Sequence, residues 1–369
     1  MKVNTISLNS VRLNTIALNH IGEIRSGGGG SKPSPIPQWI REHVVFYYDV
    51  KKQGATNETL KESAYLQDLS GKGRRMKLNN FLFAEMSGVG GYNDNFSNWE
   101  TDSNNGVLKI ESDSSIVIQS VKIEYRGVLY QYSTKKATLK CNITGITEEL
   151  KGKLIFRYTD AEGGKNITLE NGYFEFNSSE YEGLSGWYGF GSKQPIDNCN
   201  ITITQIPEYP GALVTDGVDD YGLVENLSSG VKMLFMTVNP IGDFNIGKMY
   251  YSQRYNPIDI TPFYIFTGGT NIAYAGNRDG LTYINGVLNK SIKYNELFGV
   301  KHTITTVNAN VKPETSKAPS FFWEEGNTKN YCSRLAFYNS IAFDSIPTEA
   351  DGFTEQELID YVLTNIIGQ

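Results

Sequence analysis

The stretch GALVTDGVDDYGLVEN, residues 211–226, sets Asp216-Gly-Val-Asp-Asp220 between two short apolar runs. Runs of this length, broken by Gly and Asp, read as short strands around a turn. The same pattern recurs through the 369 residues, where Gly (37), Tyr (23) and Phe (18) are plentiful and helix-forming stretches are scarce. β-branched and aromatic runs punctuated in this way predict an all-β fold, and the chain is long enough to bury a sizeable core.

Working outward, FYYD (residues 46–49) ends a strand, and Asp68–Gly73 (DLSGKG) forms a turn before another. Asn285-Gly286, between alternating residues, predicts a type I′ hairpin. RLAFYNSIAF (334–343) reads as a strand, and Thr354 with Glu357 as a capping box for a short terminal helix along Leu358, Ile359, Val362 and Leu363. In this order the pieces resemble the laminin-G/concanavalin-A-like jelly-roll family over Trp39–Ser103 and Tyr209–Gln369. The resemblance implies a jelly-roll sandwich in two parts, 39–106 and 209–369. The intervening stretch has its own short strands at 8–15-residue spacing, as in SIVIQSV and NCNITITQI, and is expected to be a small β-sandwich inserted at 107–208.

Residues 6–24, ISLNSVRLNTIALNHIGEI, repeat every five residues. That period belongs to neither a helix nor a strand, and so short a segment needs neighbours to cover Ile6, Leu8, Val11, Leu13, Ile16, Leu18 and Ile21. Residues 1–25 are therefore expected to be an extended anchor that makes oligomer or particle contacts. Residues 26–38 form a Gly/Pro linker, in which Pro33, Pro35 and Pro37 favour extended polyproline geometry. GGGGS is also the composition of an engineered joint, but the proline-rich continuation favours a natural one.

The net charge of −6 comes without a basic stripe, so nucleic acid is not an expected partner. No run reaches the roughly 18 apolar residues of a membrane span, and no signal-peptide-like segment is recognised at the start. Cys141, Cys199 and Cys332 read as reduced core or strand residues, with a Cys141–Cys199 bridge as the alternative.

No cofactor motif is recognised. Catalysis is not expected: no alternating carboxylate run is present, Glu324 and Glu325 are adjacent, and His20, His43 and His302 are scattered. The segments GVGGY and SGKGR lack the strand-to-helix context of a phosphate loop. Asp216, Asp219 and Asp220 are candidate calcium ligands, but hydrogen bonding to their own turn backbone is the favoured reading and no metal is expected. Trp187 and Tyr188, in the Gly-rich YEGLSGWYGFGSK, and Trp323, in FFWEEGN, are candidate glycan contacts. Core packing is the competing reading for these aromatics.

Taken together, the repeat, the Gly/Pro joint and the β-rich body resemble head-fibre or tail-fibre proteins of crAss-like bacteriophages. That resemblance implies a virion structural protein assembled in the host cytoplasm. It would be a homotrimer attached by its N-terminus to a capsid or tail protein, with a lectin-like body that meets host glycans. A receptor-binding tail subunit and a bacterial surface lectin are the alternatives.

Overall fold

The computed structural model describes residues 34–368, apart from residues 136–137, 228–229, 243–247, 255–263, 269–271, 276–280, 290–293, 309–315 and 323–331. The proposed anchor contacts from Ile6 to Ile21, and Trp323, lie outside the described residues. The described chain is mostly β-strand in four antiparallel sheets, with few helices. It forms two compact units. The first holds the described residues up to Phe83, Ser87–Val89 and the described residues from Gly211; the second holds Ala84–Met86 and Gly90–Pro210.

In the first unit, an eight-stranded and a seven-stranded sheet enclose a core of Phe46, Tyr48, Leu66, Met76, Met236, Tyr251, Phe321 and Phe337. Its first strand, Val44–Asp49, pairs with its last, Leu335–Phe343. The strand Met233–Pro240 runs between Leu335–Phe343 and His302–Val307 and is buried along its whole length. A second apolar layer covers its other face, where Trp39, Leu358, Ile359 and Val362 pack with Phe235 and Phe343.

Local chemistry explains several of these elements. Asn285 and Gly286 both have positive φ (49° and 84°), the backbone of a type I′ turn between Leu281–Ile284 and Val287–Leu288. The terminal helix Glu355–Tyr361 begins at the reciprocal Thr354–Glu357 capping box and continues as π-helical turns over Val362–Ile367. The polyproline expectation fails at Pro35 and Pro37. Pro35–His43 is a helix capped by Ser34, with Pro35 and Pro37 in its first turn, where backbone N–H groups have no intrahelical partner in any case. Burial of Ile36, Trp39 and Ile40 along one face favours the helix over an extended linker.

In the second unit, two five-stranded sheets face each other. One presents Ile116, Ile118, Leu139, Cys141, Ile143, Phe174, Phe176, Ile201 and Ile203; the other presents Leu129, Leu154, Phe156, Tyr188 and Phe190. Ile201-Thr202-Ile203-Thr204 shows the rule, with isoleucines in the core and threonines half-buried outside. The unit starts earlier than the inserted stretch expected at residues 107–208, because Phe96 and Trp99 pack into this core against Phe190. All three cysteines are free; Cys141 and Cys332 are buried and Cys199 is half-buried.

Candidate functional site

The outer face of one sheet of the second unit is built from Gly163–Thr168, Leu154–Asp160, Trp187–Ser192, Gly127–Tyr132 and Glu100–Thr101, in that order. Successive side chains on a strand point to opposite faces. Tyr188 and Phe190 therefore enter the core, while Trp187, Gly189 and Gly191 face outward. Register completes the face: Glu100, Tyr130, Gly189, Arg157 and Asn166 form one cross-strand row, and Tyr132 lies opposite Trp187 in the next.

Glycine gives this face its shape. A Cβ on Gly189 would lie 2.2 Å from the Leu129 carbonyl oxygen, so no side chain fits there, and Gly189 and Gly191 are both buried beneath their neighbours on this face. A Cβ on Gly127 would meet Cζ3 of Trp187 at 3.0 Å, so the indole lies against backbone at that point. The Tyr130 ring meets Trp187 at 5.8 Å and 60°, and Tyr132 at 5.9 Å and 87°. Trp187 is half-buried and Tyr132 is 50% exposed, which leaves a supported aromatic platform open to solvent. Burial, then Tyr132, Glu100 and Asp102, raise the Tyr130 hydroxyl pKa, so this phenol stays a neutral hydrogen-bonding group.

Past Gly189, the Arg157 guanidinium lies 5.6 Å from the centroid of the exposed Tyr125 ring and donates to Asn166 Oδ1 at 3.3 Å. It extends over Gly164, where a Cβ would lie 2.9 Å from Nη2. The result is an aromatic platform and a cation on the same face, with glycine rather than a side chain between them in their row. Such a surface can stack a flat apolar face and hydrogen-bond the polar groups around its rim.

Of the sequence candidates, Trp187 is on this platform and Tyr188 is not. Tyr188 is fully buried between Trp99 and Phe176, and its hydroxyl donates to the Lys135 carbonyl at 2.8 Å. That removes it as a glycan contact. The Gly-rich composition of 181–193 hides its strand, although the alternation Tyr188, Phe190, Ser192 against Trp187, Gly189, Gly191 carries the period of two. Tyr130, Tyr132, Tyr125 and Arg157 were missed because only the register of strands distant in sequence assembles them.

The aspartates do come together in the first unit, with one carboxylate oxygen from each of Asp216, Asp219 and Asp220 lying within 4.8 Å of the others. Their hydrogen bonds explain much of this. Asp216 Oδ1 accepts from the Val218 and Asp219 amides, while Asp220 accepts from the Asp216 amide at 2.9 Å and the Ser87 hydroxyl at 3.1 Å. Burial pushes the Asp220 pKa up to about 7, with smaller upward contributions from Asp216 and Asp219. Burial and the neighbouring carboxylates thus both disfavour the charged form of Asp220.

Compared with known proteins, the chain matches no family model, no curated protein and no solved structure.

Proposed function

We propose that this chain is a bacteriophage virion fibre protein, attached through its N-terminal segment, whose second β-sandwich binds saccharide on the Trp187 face. The observation that carries the binding reading is the Tyr130–Trp187 platform facing Arg157 across Gly189. A pyranose ring has one largely apolar face and a rim of hydroxyls, which fits a supported aromatic plane beside polar groups.

The fibre role rests on sequence: the five-residue repeat, the glycine-rich joint and the resemblance to crAss-like phage fibre proteins. We read the first unit as a concanavalin-A-like jelly roll. Its two antiparallel sheets, the pairing of its first strand with its last, and the short helix after its closing strand support that reading. The repeat would supply the contacts of a homotrimer and of a capsid or tail protein of the same virion.

Two measurements test the proposal. Affinity electrophoresis of the full-length protein through gels containing host-surface polysaccharides should retard it, and Trp187→Ala should relieve the retardation; absence of retardation by every polymer counts against binding. Sedimentation equilibrium should give three chains, and changing Leu8, Leu13 and Leu18 together to Ser should give one. A single-chain mass for the unaltered protein removes the trimer.

A further inference from the structure

We infer that the saccharide held on this face carries a carboxylate and that Arg157 receives it; the inference rests on the saccharide-binding reading above. Arg157 makes no ion pair among the described residues. Its partners are neutral: the Asn166 amide oxygen and the Tyr125 ring. Within its cross-strand row the acidic residue is Glu100, three strands away, or roughly 14 Å at ordinary strand spacing. The guanidinium thus lies beside the aromatic platform with no carboxylate within ion-pair distance among the described residues.

Its setting favours a carboxylate. Asn166 and Tyr125 restrain the guanidinium but use few of its five N–H donors. A planar fork pairs with a planar carboxylate through two parallel hydrogen bonds, and such charge-assisted pairs are roughly twice as strong as neutral ones. The nearby cation on the same face, Lys193, already donates to Thr168 Oγ1 at 3.0 Å. With Gly189 between, no side chain separates Tyr130 from Arg157 along their row. A sugar ring stacked on Trp187, which Tyr130 supports edge-on, can therefore extend its own carboxylate, or that of the adjoining sugar, past Gly189 to Arg157.

The test uses the full-length protein and matched polymers: polygalacturonate, alginate and hyaluronan, each beside its methyl-esterified form, with dextran sulfate as an anion lacking carboxylates. Calorimetric titration should show at least one acidic polymer binding roughly ten- to a hundredfold tighter than its ester, the range of a charge-assisted hydrogen-bonded contact. Arg157→Gln should erase that preference while leaving the weaker binding of the ester, and Arg157→Lys should retain part of it. Trp187→Ala should weaken both forms. Equal affinity for acid and ester overturns the carboxylate inference and leaves the saccharide reading intact. Equal Arg157-dependent binding of dextran sulfate also overturns it, in favour of plain anion attraction. Absence of binding by every polymer, or a change of oligomeric state in both Arg157→Gln and Trp187→Ala, removes the saccharide reading as well.

Discussion

Trp187 and Tyr188 are neighbours in sequence and opposites in structure: the indole lies on the outer face against Tyr130, while the phenol is fully buried against Trp99, Phe156 and Phe176. The two should therefore separate binding from stability. Trp187→Ala is expected to weaken saccharide binding by about 1–3 kcal/mol, with a smaller loss of stability. Tyr188→Ala is expected to cost about 3–5 kcal/mol of folding stability, as large-to-small core substitutions do. Denaturant unfolding alongside calorimetric titration checks both. A Tyr188→Phe variant that loses binding while keeping its stability would put that hydroxyl at the site after all.

Gly189 is held to glycine by its neighbour strand rather than by an unusual backbone angle. A Cβ there meets the Leu129 carbonyl oxygen at 2.2 Å and the Tyr130 Cα at 2.6 Å, and both are backbone atoms that a rotamer change cannot move. Gly189→Ala should force Trp187–Ser192 away from Gly127–Tyr132, at about 1–3 kcal/mol or more. It should also weaken binding more than its size suggests, because the platform and Arg157 lie on either side of the displaced strand. Thermal unfolding with titration of the refolded protein measures the pair of effects. Alanine tolerated without loss in either would mean that the strands do not approach this closely.

The elements that were legible in sequence are those whose chemistry is local. Thr354 and Glu357 close a capping box within one turn, and Asn285-Gly286 fixes a two-residue hairpin, so neither depends on the rest of the chain. The helix Pro35–His43 was not legible, because its prolines fit an extended chain equally well and burial of Trp39 against Phe343 and Phe353 decides between the two. The proposed binding face was legible only at Trp187. Arg157 reaches it through the pairing of Leu154–Asp160 with Trp187–Ser192, a register that no short window of sequence contains.

Asp220 predicts a pH dependence with a definite sign. Burial pushes its pKa up to about 7 from an ordinary 3.8, so between those values the folded state keeps a proton that the unfolded state has released. Stability from this group is therefore fully present below about pH 4 and is lost as pH rises toward 7. Asp220→Asn removes the titration. Its melting temperature should gain on that of the unaltered protein as the buffer moves from pH 5 to pH 8, whatever the offset between them from altered hydrogen bonds to Ser87 and Asp216. Parallel melting curves across that range would show that Asp220 is ionised throughout. Added calcium should leave both curves in place; a rise that Asp219→Asn abolishes would assign a cation to the turn.

Val89 and Leu213 are paired in antiparallel register, as are Gly88 and Val214, and both pairs belong to the first unit. Removing residues 90–210 and joining Val89 to Gly211 would leave Gly211-Ala212 as the whole connection between the paired strands. Two residues is the commonest hairpin loop, and glycine at its first position suits a type II′ turn. Gly211 already has a positive φ of 76°, the sign that turn requires at this place. The remaining sheet would lose none of the strand pairs of the first unit, and its core of Phe46, Tyr48, Met236, Phe321 and Phe337 draws no side chain from residues 90–210. The deletion variant should therefore be soluble and unfold in one cooperative transition. It should bind no saccharide, because Tyr130, Arg157 and Trp187 leave with the excised segment. Aggregation of the variant would mean that the second unit is required for the first to fold. Retained saccharide binding would place the site in the first unit, and calorimetry on the same preparation distinguishes the two.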